Sequence, residues 1–270
     1  MKTSIGFIGC GNMASAIIKS LQKSNNYKIN IFDPDATKTA EFSQCASVYE
    51  SCNKMVFDSD IVFIAVKPQV ASSALNGLDF TEKIAVSVMA SITINTIKAF
   101  TNNTTNKIVR IMSNLNARFN KAFTGFCHEG LSETELSEII AILDCLGEFA
   151  CVDESKMNAI TAIAGSGPAF VYKFIKALTD AGVNLGLEYF DSLNMAITTI
   201  SGSLDSIKST DSPNLDKMIS AVCSKGGTTL AGIDVLDRFE FENVVRKCVD
   251  SATNRAEEIS KENERSNNLY

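Results

Sequence analysis

The sequence predicts an α/β domain built on a doubly wound, mostly parallel sheet, followed by an all-helical domain. Three observations carry that prediction. Short β-rich runs alternate with amphipathic segments through the first half of the chain. A glycine-rich turn follows the first of those runs and opens a helical pattern. From about Asp153 the β signal stops and helical periodicity takes over.

SIGFIG (4–9) reads as a buried strand. NMASAIIKSLQKS (12–24) reads as a helix with Met13, Ala16, Ile17 and Leu21 on one side. KINIFD (28–33) is a second strand, and ATKTAEFSQC the helix after it. DIVFIAV (60–66), KIAVSVMA (83–90) and NKIVRIM (106–112) supply the third to fifth strands. AFTGFCH (122–128) and EFACV (148–152) flank the helix SETELSEIIAILDCLG (132–147), which opens on a capping box of Ser132 and Glu135. Strands alternating with helices favour a parallel sheet with right-handed crossovers. The expected boundaries are 1–153 for the α/β domain and 154–262 for the helical domain, with the polar stretch 263–270 frayed.

Composition narrows the function classes. The chain has 270 residues, 45% hydrophobic and 21% charged, with a net charge of −6 and no basic tract. Nucleic acid and anionic membrane surfaces are therefore discounted as partners. One His excludes a histidine-rich metal site, and no metal is expected. Eight cysteines occur without any C-x-x-C spacing. They read as reduced core residues of a cytoplasmic protein, since the first 20 residues lack a signal-peptide pattern and no apolar run reaches transmembrane length.

The turn Gly9-Cys10-Gly11-Asn12-Met13-Ala14 has the context of a dinucleotide-binding fingerprint, and so the α/β domain is read as a Rossmann domain. Gly9 permits the tight turn, and Gly11 lets backbone approach a pyrophosphate at the positive end of the helix. Ala14 stands where a third glycine is usual. Cys10 fills the loop, although a thiol at a helix start is also placed for a lowered pKa. Asp33, at the end of the second strand, is positioned to accept bonds from both ribose hydroxyls and to repel a 2′-phosphate. This favours NADH and leaves NADPH open, with Lys38 offsetting part of the repulsion. Lys67-Pro68 follows the third strand, at the edge where open α/β sheets bind ligands.

The helical half holds two unusual stretches. Gly165-Ser166-Gly167-Pro168 interrupts a helical run and costs helix stability, so close packing or a site should compensate. CSKGGTTLAGI (223–233) presents bare N–H groups with the hydroxyls of Ser224, Thr228 and Thr229, donors suited to a carboxylate.

GFIGCGNMA, VKPQ, AGSGPAFVY, DAGVNLGL and CSKGGTTLAGI occur in the order of the landmarks of pyrroline-5-carboxylate reductase, which the chain resembles over nearly its whole length. The resemblance implies a Rossmann domain followed by a helical dimerisation domain, and hydride transfer from NAD(P)H to the C=N carbon of a cyclic imine, giving L-proline. It implies that Ser224, Gly226, Gly227, Thr228 and Thr229 hold the substrate. It implies cofactor contacts from Ile8, Gly9, Cys10, Gly11, Asn12, Met13, Asp33, Asn53, Ala65, Val66, Lys67 and Pro68. Asn53 is compatible with NADP and pulls against Asp33. A homo-oligomer, either a dimer or a ring of dimers, is also implied.

Departures from the family pattern concern loops. The family reads Met-Pro-Asn-Thr-Pro-Ala where this chain has Met112-Ser113-Asn114-Leu115-Asn116-Ala117. Lys225 replaces a proline, and Ala221 a polar residue. These changes motivate a second reading, a non-catalytic or substrate-shifted paralogue that binds a dinucleotide. A third, a β-hydroxyacid dehydrogenase, is disfavoured because the Lys with Asn four residues on of that family is met here by Lys173 and Ala177. For the chemistry, Thr229 is the expected donor to the imine nitrogen, with Ser166 as second candidate.

Overall fold

The computed structural model describes residues 2–267. The strands are β1 (Ser4–Ile8), β2 (Lys28–Phe32), β3 (Ser47–Val48), β4 (Ile61–Ile64), β5 (Ile84–Ser87), β6 (Ile108–Met112), β7 (Ala122–Glu129) and β8 (Gly147–Cys151). Among them run α1 (Asn12–Ser24), α2 (Ala36–Ala40), α3 (Cys52–Phe57), α4 (Pro68–Leu75), α5 (Ile94–Phe100) and α6 (Glu133–Asp144). After β8 come α7 (Met157–Ile160), a π-helical turn (Thr161–Gly165), α8 (Gly167–Asn184), α9 (Tyr189–Lys208), α10 (Leu215–Val222), α11 (Thr228–Arg238) and α12 (Phe241–Asn267). The last residues of the stretch 263–270 lie outside the described residues; up to Asn267 it is helical.

Continuous apolar runs make strands buried on both faces. Along β4, Ile61 and Phe63 face one core with α1 and α6, while Val62 and Ile64 face another with α3, α4 and α5. Phe7 of β1 stacks on Phe63 with ring centroids 4.8 Å apart. The sheet order is β3-β2-β1-β4-β5-β6-β7-β8. Chain progress runs outward from β1 in one direction and from β4 in the other, so the topological switch lies between these two parallel neighbours.

One pair departs from parallel: β7 runs antiparallel to β6, and β8 then parallel to β7. The link 113–121 holds only a 3-10 turn, Leu115–Phe119, and is too short for a crossover, so the chain reverses. Ser132 and Glu135 form the capping box in both directions: the Ser132 hydroxyl accepts from the Glu135 N–H, and the Glu135 carboxylate from the Ser132 N–H at 2.8 Å.

Contacts divide the chain into two compact units. One reaches to Ser166 and resumes at Ser251; the other is Gly167–Asp250. α7 and the π turn belong with the sheet because Met157 is fully buried in its second core, where Ile160 also packs. Gly125 on β7 makes room for Ile160, whose Cγ2 would lie 2.7 Å from an added Cβ. In the helical unit α8 and α9 cross at Gly182, where an added Cβ would meet Ser192 Cβ at 3.0 Å. The buried Ser192 hydroxyl donates to Thr179 O at 2.8 Å across that crossing.

All eight cysteines are free thiols. Cys10 and Cys127 are core residues, as expected, but Cys45, Cys151 and Cys248 are exposed and the others half-buried. An apolar sequence neighbourhood does not place a side chain on the inner face of its element; Cys151, for example, ends the outermost strand, β8.

Candidate active site

The loop between β1 and α1 is fastened to both flanking strands. Gly9 N–H donates to Phe32 O at 2.8 Å at the end of β2, and Ala65 N–H to Ile8 O at 2.9 Å after β4. Gly9 has φ +93°, and an added Cβ would stand 2.9 Å from Ala65 O, so both conformation and space require glycine. Gly11 caps α1 without a side-chain bond, and an added Cβ there would meet nothing within 4 Å. No acidic residue occupies the first turn of α1. A bare helix start beside open space suits an anionic pyrophosphate, so the residues fit a bound dinucleotide.

A cavity of about 470 Å³ opens at this switch point, lined in part by Gly9, Gly11, Asp33, Lys38, Ala65 and Lys67. A second hollow of about 570 Å³, beside Lys2, Tyr27 and Glu138, lies at the opposite edge of the sheet and holds none of the glycine loop. Val70 and Ser73 of α4 also line the first cavity, and the residues before α4 did not by themselves reveal them. The signal was available: Lys67, Val70 and Ser73 recur at helical spacing from the residue before Pro68, which takes the first helical position. Ile8 joins the lining, while Asn12, Met13 and Pro68 sit at the starts of α1 and α4 with their side chains outside it. Val66 lines it. Asn53 is exposed in α3 and does not line the cavity.

Asp33 is placed at the cavity, but its carboxylate is turned into the protein. Oδ2 accepts from Cys10 N–H at 2.8 Å, Oδ1 accepts from Asp35 N–H at 2.9 Å, and Lys38 Nζ stands 3.6 Å from Oδ1. The side chain is only 7% exposed. Asp33 thus organises the glycine loop. Of the two readings of Cys10, loop filler holds and the lowered thiol pKa does not: burial first, and then the Asp33 charge, push it up to about 12. Its role is to fill the loop.

Farther along the same edge, β6 ends against the π turn. Asn114 Nδ2 donates to Ala164 O at 2.8 Å, and an added Cβ at Gly165 would meet Met112 Sδ at 3.2 Å. The Ser166 hydroxyl donates to Thr161 O at 3.2 Å, so its proton is directed into the turn.

In the helical unit, Ser224 to Gly227 form a tight turn closed by Gly227 N–H donating to Ser224 O at 2.9 Å. Gly226 has φ +71°, the conformation that a type II turn demands at its third residue. Lys225 holds the second position, which favours proline. α11 then starts at Thr228 with Gly227 as a cap that offers no side-chain bond and no acidic residue in the first turn. Ser224, Thr228 and Thr229 are exposed.

Residues 154–259 match the family model described as pyrroline-5-carboxylate reductase dimerisation, and residues 4–91 match that of NADP oxidoreductase, coenzyme F420-dependent. The pyrroline-5-carboxylate reductase of Aquifex aeolicus is 33% identical over 261 residues, covering 94% of this chain and 97% of its own. The chain belongs to the pyrroline-5-carboxylate reductase family. The crystal structure of the Plasmodium falciparum pyrroline carboxylate reductase with NADP bound superposes with a TM-score of 0.87 at 27% identity, over 96% of this chain and 98% of that one. The Streptococcus pyogenes reductase gives 0.88 at 29%, over 95% and 99%. Both superpositions span the sheet and the helices that follow it. Among the described residues, no group of His, Cys, Asp or Glu is placed to hold a metal, and no helix is long and apolar enough to cross a membrane.

Proposed function

We propose that the chain reduces L-1-pyrroline-5-carboxylate to L-proline. Bound NAD(P)H supplies the hydride for the C=N carbon, and the nitrogen gains a proton as it becomes an amine. The observation that carries this reading is the Ser224–Gly227 turn, set in a reductase-family chain directly ahead of a helix start that has no side-chain cap. Ser224, Gly226, Gly227 and Thr228 hold the substrate carboxylate through N–H and hydroxyl donors. Thr229 hydrogen-bonds the imine nitrogen, with a bound water delivering the proton. Ser166 is the weaker donor because its hydroxyl already serves Thr161 O. The glycine loop, Ala65, Val66, Lys67 and Pro68 hold the dinucleotide, and Asn53 borders its adenosine ribose.

An Asp33 carboxylate favours NADH only where it is free to accept from the ribose hydroxyls. With both oxygens engaged and Lys38 alongside, we propose that the site accepts the 2′-phosphate of NADPH as well. The helical unit self-associates through its exposed apolar residues, among them Phe190, Ile197, Leu204 and Val244.

Purified protein with the imine and either dinucleotide should consume reduced cofactor and yield L-proline. Dinucleotide binding without turnover would instead establish the non-catalytic paralogue. Thr229→Val should lower kcat/KM by about tenfold or more; a change within about twofold removes Thr229 from its role. Lys38→Ala should shift the kcat/KM ratio toward NADH, and an unmoved ratio refutes the part given to Lys38.

A further inference from the structure

In an α-helix the carbonyl of residue i accepts from the N–H of residue i+4. For Ala164 that donor would come from residue 168, which is proline and has no N–H. The chain meets this deficit in two ways. The backbone widens into the π turn Thr161–Gly165, with Ser166 N–H reaching Thr161 O at 2.9 Å. The Ala164 carbonyl is then taken by Asn114 Nδ2 at 2.8 Å, across fifty residues of sequence.

The other end of the same amide is also engaged. Asn114 Oδ1 accepts from Asn116 N–H at 2.9 Å and caps the 3-10 turn that leaves β6. Next to it, Ser113 Oγ accepts from Thr124 Oγ1 at 2.8 Å in a buried contact. Met112 fills the space that the missing side chain of Gly165 leaves. The end of β6 is therefore a fitted seat for the π turn, at the carboxyl edge of the sheet, where β1 and β4 also carry their cofactor loops. π turns inside helices recur at functional sites, and this one is held by a side chain from another element.

We propose that Asn114 is a positioning residue of the reductase: by clamping the Ala164 carbonyl it fixes the π turn, and with it Ser166, in the geometry that turnover requires. This rests on the imine-reductase reading above. It separates two features of the loop 113–117: the family prolines it lacks are dispensable, and the asparagine it keeps is not.

Asn114→Asp isolates the contact, because the carboxylate still caps Asn116 but has no N–H for Ala164. Wild type and Asn114→Asp are compared for kcat, dinucleotide Kd and melting temperature. The expected result is a kcat lower by about tenfold or more, with dinucleotide Kd within about twofold of wild type. Asn114→Leu, which also removes the cap, should lose the same kcat and melt at a lower temperature. A kcat of Asn114→Asp within about twofold of wild type overturns the proposal while the activity reading stands. So does a loss of kcat that only follows a parallel loss of dinucleotide binding and melting temperature. A wild type that binds dinucleotide but leaves the imine unreduced overturns both.

Discussion

The two glycine-rich loops of this chain are built on opposite plans. The loop after β1 is held from three sides, by Phe32 O, the Asp33 carboxylate and the backbone around Ala65. The loop before α11 is exposed, closed by one turn bond from Gly227 to Ser224, and has Lys225 where a proline would stiffen it. A loop tied to both neighbouring strand ends is shaped before any ligand arrives. A loop closed by one hydrogen bond depends on its residue types for its shape. Substitutions should therefore act differently in the two.

The contrast is broken most strongly at Gly9. Gly9→Ala combines a positive φ with a Cβ 2.9 Å from Ala65 O, a cost of about 1–3 kcal/mol with few ways to relax. Dinucleotide Kd, read by fluorescence titration, should rise by about tenfold or more. Gly226→Ala shares the positive φ but meets nothing within 4 Å. Its cost should stay near 1 kcal/mol, raising KM for the imine with little change in dinucleotide Kd. If Gly226→Ala impairs dinucleotide binding as much as Gly9→Ala does, the two loops are not separable.

Lys225→Pro sharpens the comparison from the other side. Proline fits the second position of the turn, so it should stabilise the protein by about 0.4–1 kcal/mol, seen as a higher melting temperature. The smallest effect concerns the capping box. Ser132 N–H, then Lys107, hold the Glu135 carboxylate well below its ordinary value of 4.5, at about 2. A depressed folded pKa gives stability that is present above the unfolded value and lost as pH falls through the folded one. The melting temperature should decline between about pH 4.5 and 2, and Glu135→Gln should flatten that part of the profile.

Sequence reading succeeded where a signal is local. The α1 segment 12–24 and the box of Ser132 and Glu135 were legible because periodicity and capping involve residues a few positions apart. The glycine loop was legible because its neighbours in sequence, β1 and α1, are also its neighbours in space. The role of Asp33 was not. A carboxylate at the end of β2 looks the same in sequence whether it faces a ribose or the Cys10 N–H. The reversal of β7 was missed because nothing in an apolar run states its direction; the short link 113–121 holds that information.

Composition, hydrophobic period and the glycine and proline positions were thus enough for the class of each half, the dinucleotide-type turn and the family resemblance, since each arises from constraints within one element or one turn. Folding alone settled the strand direction at β6–β7, the inward turn of Asp33 and the clasp of Asn114 on Ala164. Those depend on which groups distant in the chain are left without a partner once the sheet is assembled. A buried donor or acceptor must find one there, wherever in the sequence it comes from.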